Sequence, residues 1–564
     1  MTQPLQGSEA ELADGRWAHL NVPSFFYRAA RRHQERPFLI WPGGQCSYGQ
    51  MLAAVERAAQ GWRGLGVDRG DRVAFLVADK PSFIWAWFGL AAVGGVIVAL
   101  NPSLSGAELT AILEHVEPTA ILTDAADGAE ITRVARSTGS FPVVGVGAPD
   151  GVLPPLVEGG LPHCLGVAAP ATGFVDAGIS GDELVSIIYT SGSTGQPKGV
   201  MQTHQNYVLT GEAFANWLGL GADDRLFLCL PLFHINAQAY TIMGAIAAGA
   251  SIVAVPTFSV TQFWSDVRRY RVTAFNFIGA MFAYITRREP EPEERDHFIR
   301  VAYGVPALAD RQQLEARFGF HIICGYGMSE ATFGLIEAIE GERRDGSMGK
   351  PRCHPDSGFY CEARVVDERG REVPDGEVGE LLLRNPALMA GYFQDPEATA
   401  ARIRGGWLHT GDMVWRDEDG FYYFVDRRAG IIRRRGENVS SHEVEEALKR
   451  CTEVAAATVV GVPSEFYDEE ILAVVVPEPG VALEPAVVLE RCRSILASFK
   501  LPRYLQIVEQ LPQTETHKVD VPAVRRQVAS AGSWFDRDQG GVVAIPEWIR
   551  VKLGTATMRA APQR

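Results

Sequence analysis

The chain reads as an α/β protein. It has a large N-terminal domain of two doubly wound βα sheets with a small β-barrel lobe, then a compact α+β C-terminal domain. Three observations lead there. Helical stretches alternate with short apolar strands up to about Asp124, and again after residue 200 to about Cys324, as parallel sheets covered on both faces require. GLAAVGGVIVAL (Gly89 to Leu100) and GAIAAGASIVAV (Gly244 to Val255) repeat one design: a small-residue helix, a glycine, a buried strand. At 564 residues the chain exceeds a single core. The divisions fall at 1–427, 428–530 and a tail at 531–564.

In order, a polar arm to about Asn21 precedes an amphipathic helix through Arg31 and Arg32. Trp41-Pro42-Gly43-Gly44 predicts a hairpin turn, and Met51 to Leu65 has helical periodicity. Gly66 to Asp71 turns into a buried strand at Val73 to Val77. Between Ser137 and Asp182 the sequence loosens into Gly, Pro and Ala, a connecting region with short strands. Strands dominate from Gly346 to Phe393, which makes the barrel-like lobe. After Arg427 come a helix at Ser441 to Cys451 and strands at Ala456 to Val460 and Ile471 to Val476. The last thirty residues are basic and weakly patterned, and no structure is assigned to them.

Composition excludes several functions. A net charge of −15 argues against a nucleic-acid surface or an anionic membrane as the main partner. Eight cysteines without C-x-x-C spacing fit a reduced compartment and no structural zinc. No apolar signal segment opens the chain, so a cytoplasmic location is expected. Two uncharged stretches, Phe83 to Leu100 and Ala237 to Val255, are long enough to span a bilayer. Both break at glycines and become β-branched, so they read as helix–turn–strand units and not as integral membrane segments.

The chemistry concentrates at Tyr189-Thr190-Ser191-Gly192-Ser193-Thr194-Gly195-Gln196-Pro197-Lys198-Gly199-Val200. The apolar run Leu184 to Ile188 leads in as a strand. Glycines let backbone N–H groups converge on one point. Four hydroxyls (Thr190, Ser191, Ser193, Thr194) and Lys198 add donors and charge, which suits a polyphosphate. The spacing is not G-x-x-x-x-G-K-[ST].

YTSGSTGQPKGV resembles the phosphate loop of the adenylate-forming superfamily, which includes acyl-CoA synthetases, luciferases and nonribosomal-peptide adenylation domains. Further segments extend the resemblance over nearly the whole chain. Gly325-Tyr326-Gly327-Met328-Ser329-Glu330 is similar to the family's Y-G-x-[ST]-E; Tyr326 offers a flat face for adenine and Glu330 a hard oxygen for Mg²⁺. Gly304-Val305-Pro306 stands where the family has its adenine shelf. Trp407 to Asp412 matches W-x-x-[ST]-G-D, and Asp412 can accept from both ribose hydroxyls. Arg427 stands where the family has a ribose- and phosphate-contacting arginine.

The resemblance implies an acyl-CoA ligase of the acyl-CoA synthetase branch. Its cofactors are ATP/AMP, Mg²⁺ (on Thr190 and Glu330) and coenzyme A. In Pro231-Leu232-Phe233-His234 the resemblance makes His234 the residue gating acyl group against thiol. Asn236 and Gln238 join it in the acyl pocket, and no aspartate is present for an amino-acid ammonium. Pro512 to Lys518 resembles P-x-T-x-[TS]-G-K, whose lysine stabilises the adenylation transition state. CoA is expected beside Gly436 and Glu437.

Two departures stand out. His517 replaces the glycine before Lys518. The hinge, on which the C-terminal domain rotates between adenylating and thioester-forming poses, has Ala429-Gly430 in place of a charged pivot. Both touch the adenylating pose, so weaker adenylation than thioester formation is expected. An enzyme confined to converting acyl adenylate to thioester, a carrier-protein-loading adenylation enzyme and an inactive nucleotide sensor are the alternatives. Expected partners are a small carboxylic acid or its acyl adenylate, CoA, and a second copy in a homodimer.

Overall fold

The computed structural model describes residues 20–104, 106–124, 128–138, 143–146, 163–165, 178–191, 197–354, 361–427, 430–512 and 519–558. Two large sheets form the N-terminal body, as the alternation predicts. The first has eight strands, in the order Gly391–Tyr392, Pro197–Thr203, Leu184–Ser191, Val96–Ala99, Arg72–Leu76, Ala120–Thr123, Val143–Val146, His163–Leu165. From Leu184–Ser191 onward every pairing is parallel. The second has nine strands, with Pro37–Trp41, Ser251–Ala254, Arg225–Leu228, Ala274–Ile278, Val301–Val305 and His321–Met328 running parallel at its centre.

Local sequence explains the entries to these elements. Asn21 caps the helix Val22–Arg32 by accepting from the Ser24 N–H, and Ser47 with Gln50 forms a reciprocal capping box on Tyr48–Gly64. Caps of this kind stabilise a helix end by about 1 kcal/mol. The repeated design is also realised. Lys80–Ala92 leads through a turn into Val96–Ala99 of the first sheet, and Met243–Ala248 leads through Gly249 into Ser251–Ala254 of the second. Both strands are buried throughout, and no helix among the described residues is long and apolar enough to cross a membrane.

The third lobe is a five-stranded antiparallel sheet: Glu362–Val366, Val378–Arg384, Trp407–Arg416 and Ile403–Arg404, with Tyr422–Arg427 also paired to Trp407–Arg416. Beyond it, a two-stranded hairpin, Ile431–Arg434 with Glu437–Ser440, leads to the C-terminal sheet. That sheet orders Val454–Pro463, Glu469–Pro477, Tyr504–Ile507, Ser533–Asp536 and Gly541–Ala544, and carries an apolar cluster on each face.

The absence of structure expected for the last thirty residues is corrected here. Ser533–Asp536 and Gly541–Ala544 extend the C-terminal sheet, and the helix Glu547–Met558 covers it. Trp534 stacks on Tyr504 with ring centroids 4.1 Å apart, while Ile545, Ile549 and Leu553 close the same cluster. Two four-residue strands are too short to show period-two patterning, and their packing partners lie earlier in the chain.

Candidate active site

A cavity of about 500 Å³ opens at the carboxyl ends of five neighbouring parallel strands of the second sheet. Ligands in open α/β sheets collect at such ends, because the loops leaving the strands converge there. Each strand delivers lining residues just as it ends: Cys229 to Asn236, Pro256 to Phe258, Ile278, Val305, and Gly327 to Ser329. Gly304 is required for the close approach of the neighbouring strand. A Cβ there would lie 2.1 Å from the Phe277 carbonyl oxygen of the adjacent strand. Val305 follows on the cavity wall.

His234 stands on the loop after Arg225–Leu228 and lines the cavity; a second cavity of about 110 Å³, bordered by Tyr189 and Thr190, meets it there. Asn236 also lines the larger cavity, and its Oδ1 accepts from the Asn276 amide at 2.7 Å. Gln238 does not join it. Its side chain is fully buried, with Oε1 accepting from the Tyr207 hydroxyl (2.6 Å) and Nε2 donating to the Leu232 carbonyl (2.5 Å). The expectation of Gln238 in the acyl pocket is therefore corrected: it braces the loop that carries His234.

The C-terminal hairpin reaches into this junction. Its two-residue turn, Arg435-Gly436, has φ of 52° and 88°, the left-handed pair that matches strand twist and is natural for glycine. The turn sets Gly436, Glu437 and Asn438 on the walls of both cavities. Glu437 Oε1 lies 3.0 Å from His234 Nε2. Burial alone would raise the Glu437 carboxyl; the charge and hydrogen bond of His234, with Lys500 beyond, outweigh it and hold the group below its ordinary value.

Lys500 fastens the same unit. Buried on the C-terminal side, it pairs with Glu443 of its own unit (2.6 Å) and with Glu108 on the N-terminal helix Gly106–Val116. Burial opposes its charge, and the two carboxylates more than offset this, so its pKa lies above the usual lysine value. Elsewhere the units meet through Arg287 and Glu465 (2.6 Å) and through Phe466 packed on Tyr284.

The residues expected to hold the nucleotide come from the first sheet, the end of the second sheet and the third lobe. The phosphate loop is the tip of a hairpin: Leu184–Ser191 and Pro197–Thr203 pair antiparallel, with Thr190 opposite Lys198 and Ser191 opposite Pro197. Lys198 Nζ lies 3.8 Å from Asp395 and 5.1 Å from the centroid of the Tyr392 ring. Tyr326 donates its hydroxyl to Asp412 at 2.6 Å, and Arg427 stands in register with Asp412 on the neighbouring strand. Glu330 is buried and accepts from the Tyr392 hydroxyl at 2.8 Å.

Sequence reading misses two basic residues here. Arg402 donates to the Thr410 carbonyl at 2.8 Å. Burial opposes its charge, but Glu330, Tyr392, Tyr326 and Asp412 outweigh that and raise its pKa. Nothing in the short helix Pro396–Arg402 signals such contacts. Lys80, on the cavity wall, carried a signal that could have found it: it is the one charge in the otherwise apolar helix Lys80–Ala92.

Glu330 and Thr190 offer Mg²⁺ hard oxygen ligands, and no cluster of three or more His, Cys, Asp or Glu gathers among the described residues. This donor set fits the ion, which commonly takes one or two protein oxygens and completes its shell with phosphates and water. Gly192, Ser193, Thr194, Gly195, Ala429, His517 and Lys518 lie outside the described residues.

The model for the AMP-binding enzyme family matches residues 26–393, and that for the AMP-binding enzyme C-terminal domain matches 443–518. The crotonobetaine/carnitine–CoA ligase of Salmonella arizonae is 33% identical over 483 residues, covering 84% of this chain and 92% of that protein. The o-succinylbenzoate CoA synthetase of Bacillus subtilis, a double mutant bound with its product analogue OSB-NCoA, is 26% identical with a TM-score of 0.75, covering 88% of this chain and 96% of its own. The same synthetase in complex with AMP, also 26% identical, gives a TM-score of 0.63 with coverages of 88% and 97%.

Proposed function

Because the chain belongs to the AMP-binding enzyme family and is an ATP-dependent, AMP-forming acid–thiol ligase, we propose that it makes an acyl-CoA in two steps at the junction of the two cavities. A carboxylate oxygen of the acid attacks the α-phosphorus of ATP. The bond to pyrophosphate breaks and an acyl adenylate forms. The sulfur of CoA then attacks the acyl carbonyl carbon, the bond to the AMP oxygen breaks, and AMP leaves. Tyr326, Asp412 and Arg427 hold the nucleoside; Thr190 to Lys198 hold the phosphates; Lys518 serves the first step. Thr190 and Glu330 would hold magnesium, which would supply charge neutralisation on the phosphates. Residues 1–427 act as the adenylation domain and 428–530 as its lid.

One observation carries the reading of the second step: the hairpin tip Gly436 to Asn438 is inserted between the cavities, with Glu437 on His234. In that position the lid borders the site of thiol transfer. The higher TM-score against the synthetase holding a CoA product analogue, 0.75 against 0.63 for its AMP complex, supports the same arrangement.

The docked tip also favours a second reading, in which the enzyme is poorer at adenylation than at thioester formation. Ala429 and His517 add to this, because neither keeps the polar pivot or flexible glycine that the adenylating pose uses. A bias of about 3 kcal/mol would cut the minor pose below one per cent. The test is to supply CoA with an acid plus ATP, or with the synthetic adenylate of that acid, across short, medium and aromatic acids. The expected result is faster thioester formation from the adenylate. Comparable rates refute the bias, and no thioester from either refutes the ligase.

A further inference from the structure

The chain has only seven lysines among 53 basic residues, and one of them, Lys80, lies on the wall of the large cavity. Its position breaks three local rules. It is 5% exposed, so its ammonium is taken out of water. It stands at the first turn of the helix Lys80–Ala92, where the helix dipole repels a cation. It has no carboxylate: Nζ donates to the Leu228 carbonyl (3.0 Å) and the Val255 carbonyl (2.7 Å), and among the described residues its third N–H donates to none. Burial draws its pKa down to about 8; the nearby Cys229 thiol, pushed up to about 11 chiefly by burial, stays uncharged and supplies no counter-ion.

The wall as a whole is short of negative charge. Its one carboxylate among the described lining residues, Glu437, faces His234, and of the arginines on the wall Arg435 lies 3.6 Å from Glu470 outside it. Violations of local preference that persist without compensation mark functional positions. The missing counter-ion is supplied if a ligand brings it.

We propose that Lys80 selects acids carrying a second anionic group, a carboxylate at the far end of the acyl chain, which takes the third N–H of Lys80 inside the cavity. The inference rests on the ligase reading above and names its substrate class. A neutral acyl chain leaves the ammonium unpaired, whereas a dicarboxylate forms a charge-assisted hydrogen bond in a site shielded from water. An amide oxygen of the arriving CoA arm is the competing acceptor.

The experiment measures kcat/KM for α,ω-dicarboxylic acids of four to ten carbons against their monomethyl esters, with ATP and CoA, in the wild type, Lys80→Met and Lys80→Gln. The expected result is a preference for the diacid in the wild type that falls at least tenfold in both variants, mainly through KM of the acid. An equal fall for diacid and ester overturns the proposal and leaves Lys80 as a tie between two strand ends. A rise confined to KM of CoA overturns it in favour of the CoA arm. A readout on the wild type alone covers the case of misfolded variants: with AMP present, the diacids raise Tm and their esters do not, and equal shifts count against the proposal. If the wild type forms no thioester from any acid or synthetic adenylate, the ligase reading fails first and this inference with it.

Discussion

Replacing Glu108 with glutamine should release the lid and speed the first half-reaction. The Lys500 and Glu108 side chains are 6% and 9% exposed, so the contact between the units is screened little by solvent. Glu443, 2.6 Å from Lys500, moves with it, and the lysine stays compensated in either pose. Only the Glu108 share acts between poses. Glutamine keeps an acceptor oxygen and removes the charge, which lowers the bond from charge-assisted to neutral strength, a loss of about 1–2 kcal/mol. That shifts the two poses by about 5- to 30-fold. Under the pose bias proposed above, the docked population hardly changes, while the minor pose gains nearly the whole factor. Acid-dependent ATP–pyrophosphate exchange should therefore rise about 5- to 30-fold. Thioester formation from supplied acyl adenylate should change less than twofold. Exchange that stays flat or falls in a folded Glu108→Gln protein would refute the latch. Lys500→Met is the harsher control: it leaves Glu108 and Glu443 without a cation, and breaking a buried pair costs about 3–5 kcal/mol.

Three further outcomes follow from the site and its supports. The double variant Thr194→Ala, Lys198→Ala should lose at least tenfold in ATP affinity by calorimetry while Tm moves little, because Lys198 belongs to no apolar core cluster; unchanged affinity sinks the phosphate-loop assignment. Lys518→Ala should abolish acid-dependent exchange and spare thioester formation from a supplied adenylate, and equal loss of both contradicts its role. His204 is fully buried, chiefly desolvated, and its pKa is drawn down to about 3. A lowered pKa favours the neutral ring in the fold, so its stability contribution is full above the ordinary value near 6.5 and falls as pH drops toward 3. At pH 5.5 that is a loss of about 1.4 kcal/mol relative to pH 7.5, and urea unfolding of His204→Gln should show a correspondingly shallower decline. An unchanged decline removes His204 from the account.

The sequence by itself determined the elements whose cause is local. Alternating helices and apolar strands, the repeated helix–glycine–strand design and the Trp41 to Gly44 turn all depend on residues a few positions apart, and each formed where its pattern lay. The motifs expected to hold the nucleotide stand out in the sequence for the same reason. Tyr326, Asp412, Glu330, Thr190 and Lys198 each sit in a short segment with its own chemistry. Tertiary structure decided what depends on distant partners. Gln238 looks like a pocket residue in sequence, yet Tyr207 and Leu232 take both ends of its amide. The final hairpin acquires meaning only against Tyr504 and the sheet it extends. Lys500 looks like a surface cation until the fold buries it against Glu108, and Lys80 shows only as one charge in an apolar run until the fold sets it against the Leu228 and Val255 carbonyls. Whether a charge is buried, and what faces it there, is set by segments that meet only on folding, and no local pattern encodes that meeting.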